Sequence, residues 1–382
     1  EIREREDGKV AIFDENGNQI TKWFNWISSS GLVSGESNLY IAKSSKGVAV
    51  FDKDGNQISQ WFNEIKECGL IEGESNFYLA RKGRKWAIFD KDGNMITPEW
   101  FDKIWEWGLV RGQSDYYLVE GDKEYAIFDK DGKMISPDWF DNIYADGLVM
   151  GESKYYIARK GNRYAIFDID GNQITKWFYR IYSHGLVSGE SNLYIAKGRG
   201  EAIFDVNGNR ITQWYDWIYP EGLVEGESKY YIAVKDGKRA IFDENGNRIT
   251  EWFDEVSIDG LVRGESEYYI AEKDGKYAIF DKNGKRITEW FDYISPVGLV
   301  KGESDYYIAC NEDTCAVYHK DGRKVSEDFS IEYMDIVYKI TFNDRLGIVE
   351  IEKFDETIQA IEFNPVHPFK EDIIDYTKLL NI

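Results

Sequence analysis

The sequence predicts an all-β chain, a β-propeller built from eight four-stranded repeats of about 38 residues. Three observations carry that prediction. An Ala-Ile-Phe-Asp string or a close variant recurs from Ala11, Ala49, Ala87, Ala126, Ala165, Ala202, Ala240 and Ala278, at spacings of 37 to 39 residues. A Gly-Leu-Val-x-Gly-Glu-Ser string recurs from Gly31, Gly69, Gly108, Gly147, Gly185, Gly222, Gly260 and Gly298. Segments such as Leu39-Tyr40-Ile41-Ala42 are apolar on both alternating faces, as expected of strands sandwiched between neighbouring sheets.

In the first copy, residues 10–14 (VAIFD) read as a strand, because β-branched and aromatic residues fit a pleated surface. Glu15-Asn16-Gly17 follows as a hairpin turn, with Asn or Asp before the glycine in every copy. Residues 19–24 (QITKWF) are expected to return as a second strand, and its Trp-Phe end to supply core. The tryptophan recurs as Trp23, Trp61, Trp100, Trp139, Trp177, Trp214, Trp252 and Trp290. A variable loop leads to a third strand over 31–35, a turn at Glu36-Ser37 and a fourth strand over 38–43.

Residues 31–43 and 185–197 are the identical string GLVSGESNLYIAK, four copies apart, which argues for a duplicated four-repeat block. Residues 2–6 read as a lone strand and 316–329 as the start of a degenerate ninth repeat. A closed ring is the expected arrangement, with an open superhelical stack as the alternative. The division expected is a repeat propeller over 1–329 and a non-repeat C-terminal cap over 330–382, with strands at 336–342, 346–352 and 357–363 and a helix over 370–380.

The stretch Gly275-Lys276-Tyr277-Ala278-Ile279-Phe280-Asp281-Lys282-Asn283-Gly284-Lys285 resembles the bacterial WG repeat, also called the KWG repeat. In that repeat a Lys-Trp-Gly-like start leads into a strand, an Asp-Lys-x-Gly-Lys turn and an aromatic segment. Lys85-Trp86-Ala87-Ile88-Phe89-Asp90 comes closest, and the similarity runs over residues 8–329. The name-giving glycine is alanine here, and most copies replace the tryptophan. The resemblance implies β-rich, propeller-like repeats that mediate interactions in bacterial proteins, with no shared catalytic residue.

The net charge of −22 repels phosphate backbones and anionic lipid, so nucleic acid and membrane are poor partners and a basic protein face is a better one. No apolar window is long enough to span a bilayer. The first residues, EIREREDGKVAIFD, are charged and lead straight into a repeat, unlike a secretory leader. Three cysteines are too few for a disulfide framework, which argues for the cytoplasm; a removed leader stays open. Cys310 and Cys315 flank a short turn, and both a disulfide and free thiols fit that spacing.

Asp52-Lys53-Asp54-Gly55-Asn56 and its equivalents look like the start of a calcium loop, but they lack the distant glutamate and lie between strands, so hairpin turns are expected. Glu36, Glu74, Glu152, Glu190, Glu227, Glu265 and Glu303, with Gln113 in the remaining copy, offer either a cation ring or a turn-fixing carboxylate; turn fixing is the expectation. His184, His319 and His367 lack metal-ligand spacing, and no nucleophile is matched to a base. No enzyme activity, metal or cofactor is therefore expected.

The tripeptide before each Gly-Leu-Val varies while the flanking strands barely change, which points to a recognition surface. Trp26, Trp105, Trp107, Tyr144, Tyr182, Trp217, Tyr219 and Tyr293 lie in or beside it as candidate binding residues. The expected function is a non-enzymatic protein–protein interaction scaffold. A carbohydrate-binding propeller that stacks sugars on these rings is the alternative, and simple edge covering is the bland one.

Overall fold

The computed structural model describes residues 1–312, 314–330, 339–353 and 356–363. The expected helix over 370–380 lies outside them. Every element among the described residues is a strand, and these form nine three-stranded sheets and one two-stranded sheet. The chain divides into two compact units, Glu1–Arg210 and Ile211–Ile382.

The first unit begins with a hairpin of Ile2–Glu4 against Val10–Ile12. Five sheets follow, the first built from Trp26–Ile27, Leu39–Ser44 and Gly47–Asp52 in that order. The second unit repeats the pattern three times, from Trp217–Ile218, Glu255–Val256 and Tyr293–Ile294, and then adds a tail sheet of Lys339–Asn343, Ile348–Lys353 and Glu356–Glu362. The three tail strands expected from the sequence are therefore present within a few residues.

The expected four-stranded repeat is corrected in three places. Residues 31–35 form a turn: Gly31 and Gly35 both have left-handed φ, 74° and 85°, through which no strand can run. The short strand lies instead in the supposed loop, where Trp26↔Lys43 and Ile27↔Ala42 pair. Residues 19–24 touch the neighbouring strand only at the bridges Phe13↔Gln19 and Val10↔Phe24. Between those bridges Thr21 Oγ1 accepts the Ile12 N–H at 2.9 Å, so a side chain replaces the ladder carbonyl. Ser59, Ser136, Thr175, Thr250 and Thr288 do the same for later copies.

Within each unit, alternate residues of a sheet face opposite neighbours. Tyr40, Ala42, Ala49 and Phe51 pack back on Ile12, Phe24 and Ile27, whereas Ile41 and Val50 pack forward on Ile71, Tyr78 and Phe89. Both faces are thus buried, as the apolar alternation requires. The tyrosine of each middle strand stacks on the ring opposite it, as Tyr40 does on Phe51 at 5.4 Å and 15°. Such pairs contribute roughly 0.5–1.5 kcal/mol beyond the area they bury. The tryptophans of the Trp-Phe pairs are only half-buried and lie against the strand phenylalanine, Trp61 on Phe51 for example; the residue after each is the one in the core.

The tail sheet packs Val349, Ile351, Ile361 and Phe363 onto Tyr306, Ile308 and Val317 of the last repeat. Phe342 comes to 2.9 Å of where a Gly298 Cβ would stand, a place filled by a valine of the following repeat beside Gly69, Gly108 and Gly147. Cys310 and Cys315 are directly paired across the hairpin and form a disulfide, which resolves the two readings left open by their spacing.

Candidate functional site

The strand register sorts the variable residues. In the fourth sheet Asn142 pairs with Arg159, and Arg159 with Tyr164, so these three side chains share one face; Tyr144, two residues beyond Asn142, joins them by strand alternation. That face looks toward the next sheet, and between the two lies a cleft. Its volume is 520 Å³, and Tyr144, Asp146, Tyr164, Arg180, Tyr182 and His184 line it over a floor of Ile157 and Ile181. The equivalent cleft in the second unit, 260 Å³, is lined by Glu255, Ser257, Glu272, Tyr277, Tyr293 and Pro296.

The two clefts differ in charge because the residues at equivalent register differ. Asn142 and Arg159 in one become Glu255 and Glu272 in the other. In the first, burial and then a hydrogen bond with Tyr164 raise the Tyr144 phenol, while Arg159 and Arg180 act on it in the opposite sense. Tyr182 is raised by burial and then by its 2.6 Å hydrogen bond to the buried Glu201 carboxylate. In the second, Tyr277 is raised by burial and then by Glu272. Glu255 is ion-paired with Arg239 at 2.8 Å.

Elsewhere the same space is filled by the chain's own side chains. Lys66 and Arg81 lie over the Trp86 ring in the second sheet, and Trp105 packs on Tyr125 at 5.5 Å in the third, with Lys103 over the Trp105 ring at 4.1 Å.

Of the candidate residues, Trp26, Trp107, Tyr144 and Trp217 are exposed. Trp105, Tyr219 and Tyr293 are half-buried against core clusters, and Tyr182 is half-buried with its hydroxyl bonded to Glu201. Trp26, Trp217 and Tyr293 open their short strands, whereas Trp105, Tyr144, Tyr182 and Tyr219 come two residues later than that opening position in their own repeats. Tyr144 and Tyr182 meet in the 520 Å³ cleft, and Tyr293 lines the smaller one. Sequence reasoning missed Tyr164, Arg180, Glu255, Glu272 and Tyr277. A usable signal existed: the residue before each conserved alanine varies through Val48, Trp86, Tyr125, Tyr164, Glu201, Arg239 and Tyr277.

The repeated glutamates fix their turns. Glu152 Oε2 accepts the Gly147 N–H at 2.8 Å, and Gln113 Oε1 accepts the Gly108 N–H at the same distance. Glu36, Glu74, Glu190, Glu227, Glu265 and Glu303 make the same bond. Glu152→Gln should therefore leave stability nearly unchanged, whereas Glu152→Ala should cost about 1.5–3 kcal/mol by orphaning the Gly147 N–H. Urea midpoints of the two variants check this; equal losses would refute the turn-fixing role. The calcium-like strings are hairpin turns as well: Asp52 accepts the backbone N–H groups of Asp54 and Asn56, and the Asn56 side chain holds its carboxyl below the usual range.

No family model and no curated protein matches the chain. Among solved structures, one described as the eukaryotic initiation factor is 11% identical, over 94% of this chain and 97% of that one, with a TM-score of 0.32. Hsv2 of Kluyveromyces lactis, with loop 6CD replaced by a Gly-Ser linker, is 12% identical over 76% of this chain and 96% of that one, TM-score 0.29. Hsv2 of "Kluyvelomyces marxianus" is 12% identical over 87% and 96%, TM-score 0.27. Overlap this loose identifies neither repeat arrangement nor ligand.

Proposed function

We propose that the chain is a non-enzymatic interaction module, an eight-repeat β-propeller of the WG type whose partner is a protein with a basic face. The observation that carries this reading is the acidic cleft of the second unit, where Glu272 stands beside Tyr277, Tyr293 and Pro296, with Glu255, paired to Arg239, at its edge. Carboxylates beside aromatic rings suit a lysine or arginine side chain, held by charge and by the ring faces. A volume of 260 Å³ suits one such side chain. The net charge of −22 favours the same partner at longer range.

The Cys68 thiol is buried and pushed up to about 12 by burial, so it stays protonated and is no candidate nucleophile.

Titration of the full chain with an arginine-rich peptide and with a glutamate-rich one of equal length tests the proposal. The basic peptide should bind, and Glu272→Lys should weaken it at least about tenfold, the scale of one charge-assisted contact. Equal binding of both peptides, or indifference to Glu272→Lys, would refute it. Small-angle X-ray scattering tests ring closure, since a superhelical stack would be markedly longer than a toroid.

A further inference from the structure

We propose that the 520 Å³ cleft of the first unit is a binding site for an acidic sugar, a hexuronate unit carrying one carboxylate. The inference is independent of the protein-partner reading, which concerns a different cleft of opposite charge, so either can fail alone. It begins from two cations in an acidic chain. Among the described residues, neither Arg159 nor Arg180 lies within salt-bridging distance of a carboxylate. Arg159 donates to the Asp141 carbonyl at 3.3 Å, and its Nε is buried without a hydrogen-bond partner. Arg180 lies over the Tyr182 ring at 4.6 Å and lines the cleft. Arg81 and Arg111, by contrast, are ion-paired, with Glu64 at 2.8 Å and with Glu74 at 2.9 Å.

An unneutralised guanidinium beside an open cleft matches an anion, and its planar fork matches a carboxylate in particular. The rest of the lining narrows the ligand. Tyr144 and Tyr164 provide flat apolar faces with hydroxyls at their rims, the pattern that suits a sugar ring with one C–H face and a polar edge. Asp146 and Ser183 add hydrogen-bonding groups for sugar hydroxyls. Asp146 also disfavours a doubly charged phosphate, which would meet like charge there, whereas a single carboxylate can sit at Arg180. The volume falls within the range of small-molecule sites and accommodates one or two sugar units.

The specificity follows from register. Glu255 and Glu272 line the equivalent cleft of the second unit and would repel a uronate, whereas the same register positions of this sheet hold Asn142 and Arg159. The third sheet has Lys103 and Glu120 at those positions and fills the space with Trp105.

Calorimetric titration of the full chain with a digalacturonate, the matched neutral digalactoside and inorganic phosphate tests the proposal. The uronate should bind at least about tenfold more tightly than the neutral sugar, and Arg180→Gln should remove that preference, the scale of one hydrogen bond to a charged group. Tyr144→Ala, at an exposed position, should weaken both sugars. Lys229→Gln, on the exposed surface of the second unit, should change nothing. No uronate binding at about 10 mM, equal affinity for the neutral sugar, full competition by phosphate, or an unaltered Arg180→Gln variant would each overturn the assignment. Circular dichroism of the variants separates lost binding from lost fold.

Discussion

Raising the pH above about 10 is expected to unfold this protein in one steep transition. Every repeat buries one tyrosine of its middle strand: Tyr40, Tyr78, Tyr117, Tyr156, Tyr194, Tyr231, Tyr269 and Tyr307 are all at most 1% exposed. Burial raises each phenol, that of Tyr40 to about 12 and the others further. The folded chain thus favours the neutral ring, while the unfolded chain releases its proton near the ordinary value. Each tyrosine's contribution is whole below about pH 10 and is lost as the pH rises towards its folded value, at up to about 1.4 kcal/mol per pH unit. Surface lysine pairs also loosen in this range but contribute little.

Phenolate absorbance and circular dichroism should therefore change together. Gradual ionisation with the fold intact would show that these rings are reached by water. Tyr156→Phe offers a finer check. The Tyr156 hydroxyl is buried without a hydrogen-bond partner, so its removal should cost little near neutral pH and should raise the alkaline midpoint.

Gly147→Ala should be among the most damaging single substitutions in the chain. Gly147 has φ 81°, and a Cβ there would stand 2.3 Å from the Tyr155 carbonyl oxygen and 2.7 Å from that of Val187 in the next repeat. The left-handed backbone costs about 1–3 kcal/mol for alanine and the overpacking a similar amount, so a loss of about 4 kcal/mol is expected. Gly161→Ala is the control. Its φ is also positive, 62°, but nothing lies within 4 Å, and about 1 kcal/mol is expected. Urea midpoints decide; equal losses would mean that backbone strain alone matters and that the close approach of successive repeats does not.

That close approach explains why the Gly-Leu-Val string misleads as a strand. Taken alone, Gly31-Leu32-Val33 has the composition of a strand flanked by turn residues. In the fold it is a compact turn, with Gly35 and Glu36 donating to the Gly31 carbonyl. The next repeat is held through the serine of the same string, as Ser75 Oγ donates to the Val110 carbonyl at 2.6 Å. Two carbonyls crowd the glycine, one eight residues on and the other, of Val187 beside Gly147, about a whole repeat away, where no local pattern reports it. The Ser-Thr hydroxyls that interrupt the residue 19–24 ladder are similarly silent, because a buried threonine and a strand threonine look alike in sequence.

The candidate site was legible only in part. Tyr144 and Tyr182 could be found because they stand in the variable tripeptide or beside it. Tyr164 and Glu272 belong to longer strands whose neighbours hardly vary, and Tyr164 is marked only by comparing copies at the position before the repeated alanine.

Periodicity and composition alone determined the repeat unit, the all-β class, the polar hairpins, the doubly apolar strands and the turn-fixing role of the glutamates, since each depends on residues within a few positions of one another. Tertiary structure decided which segments pair, which rings stay exposed and what charge each cleft carries. Those properties arise when register sets Asn142 beside Arg159 and Tyr164, and the following repeat lays Arg180 across the gap.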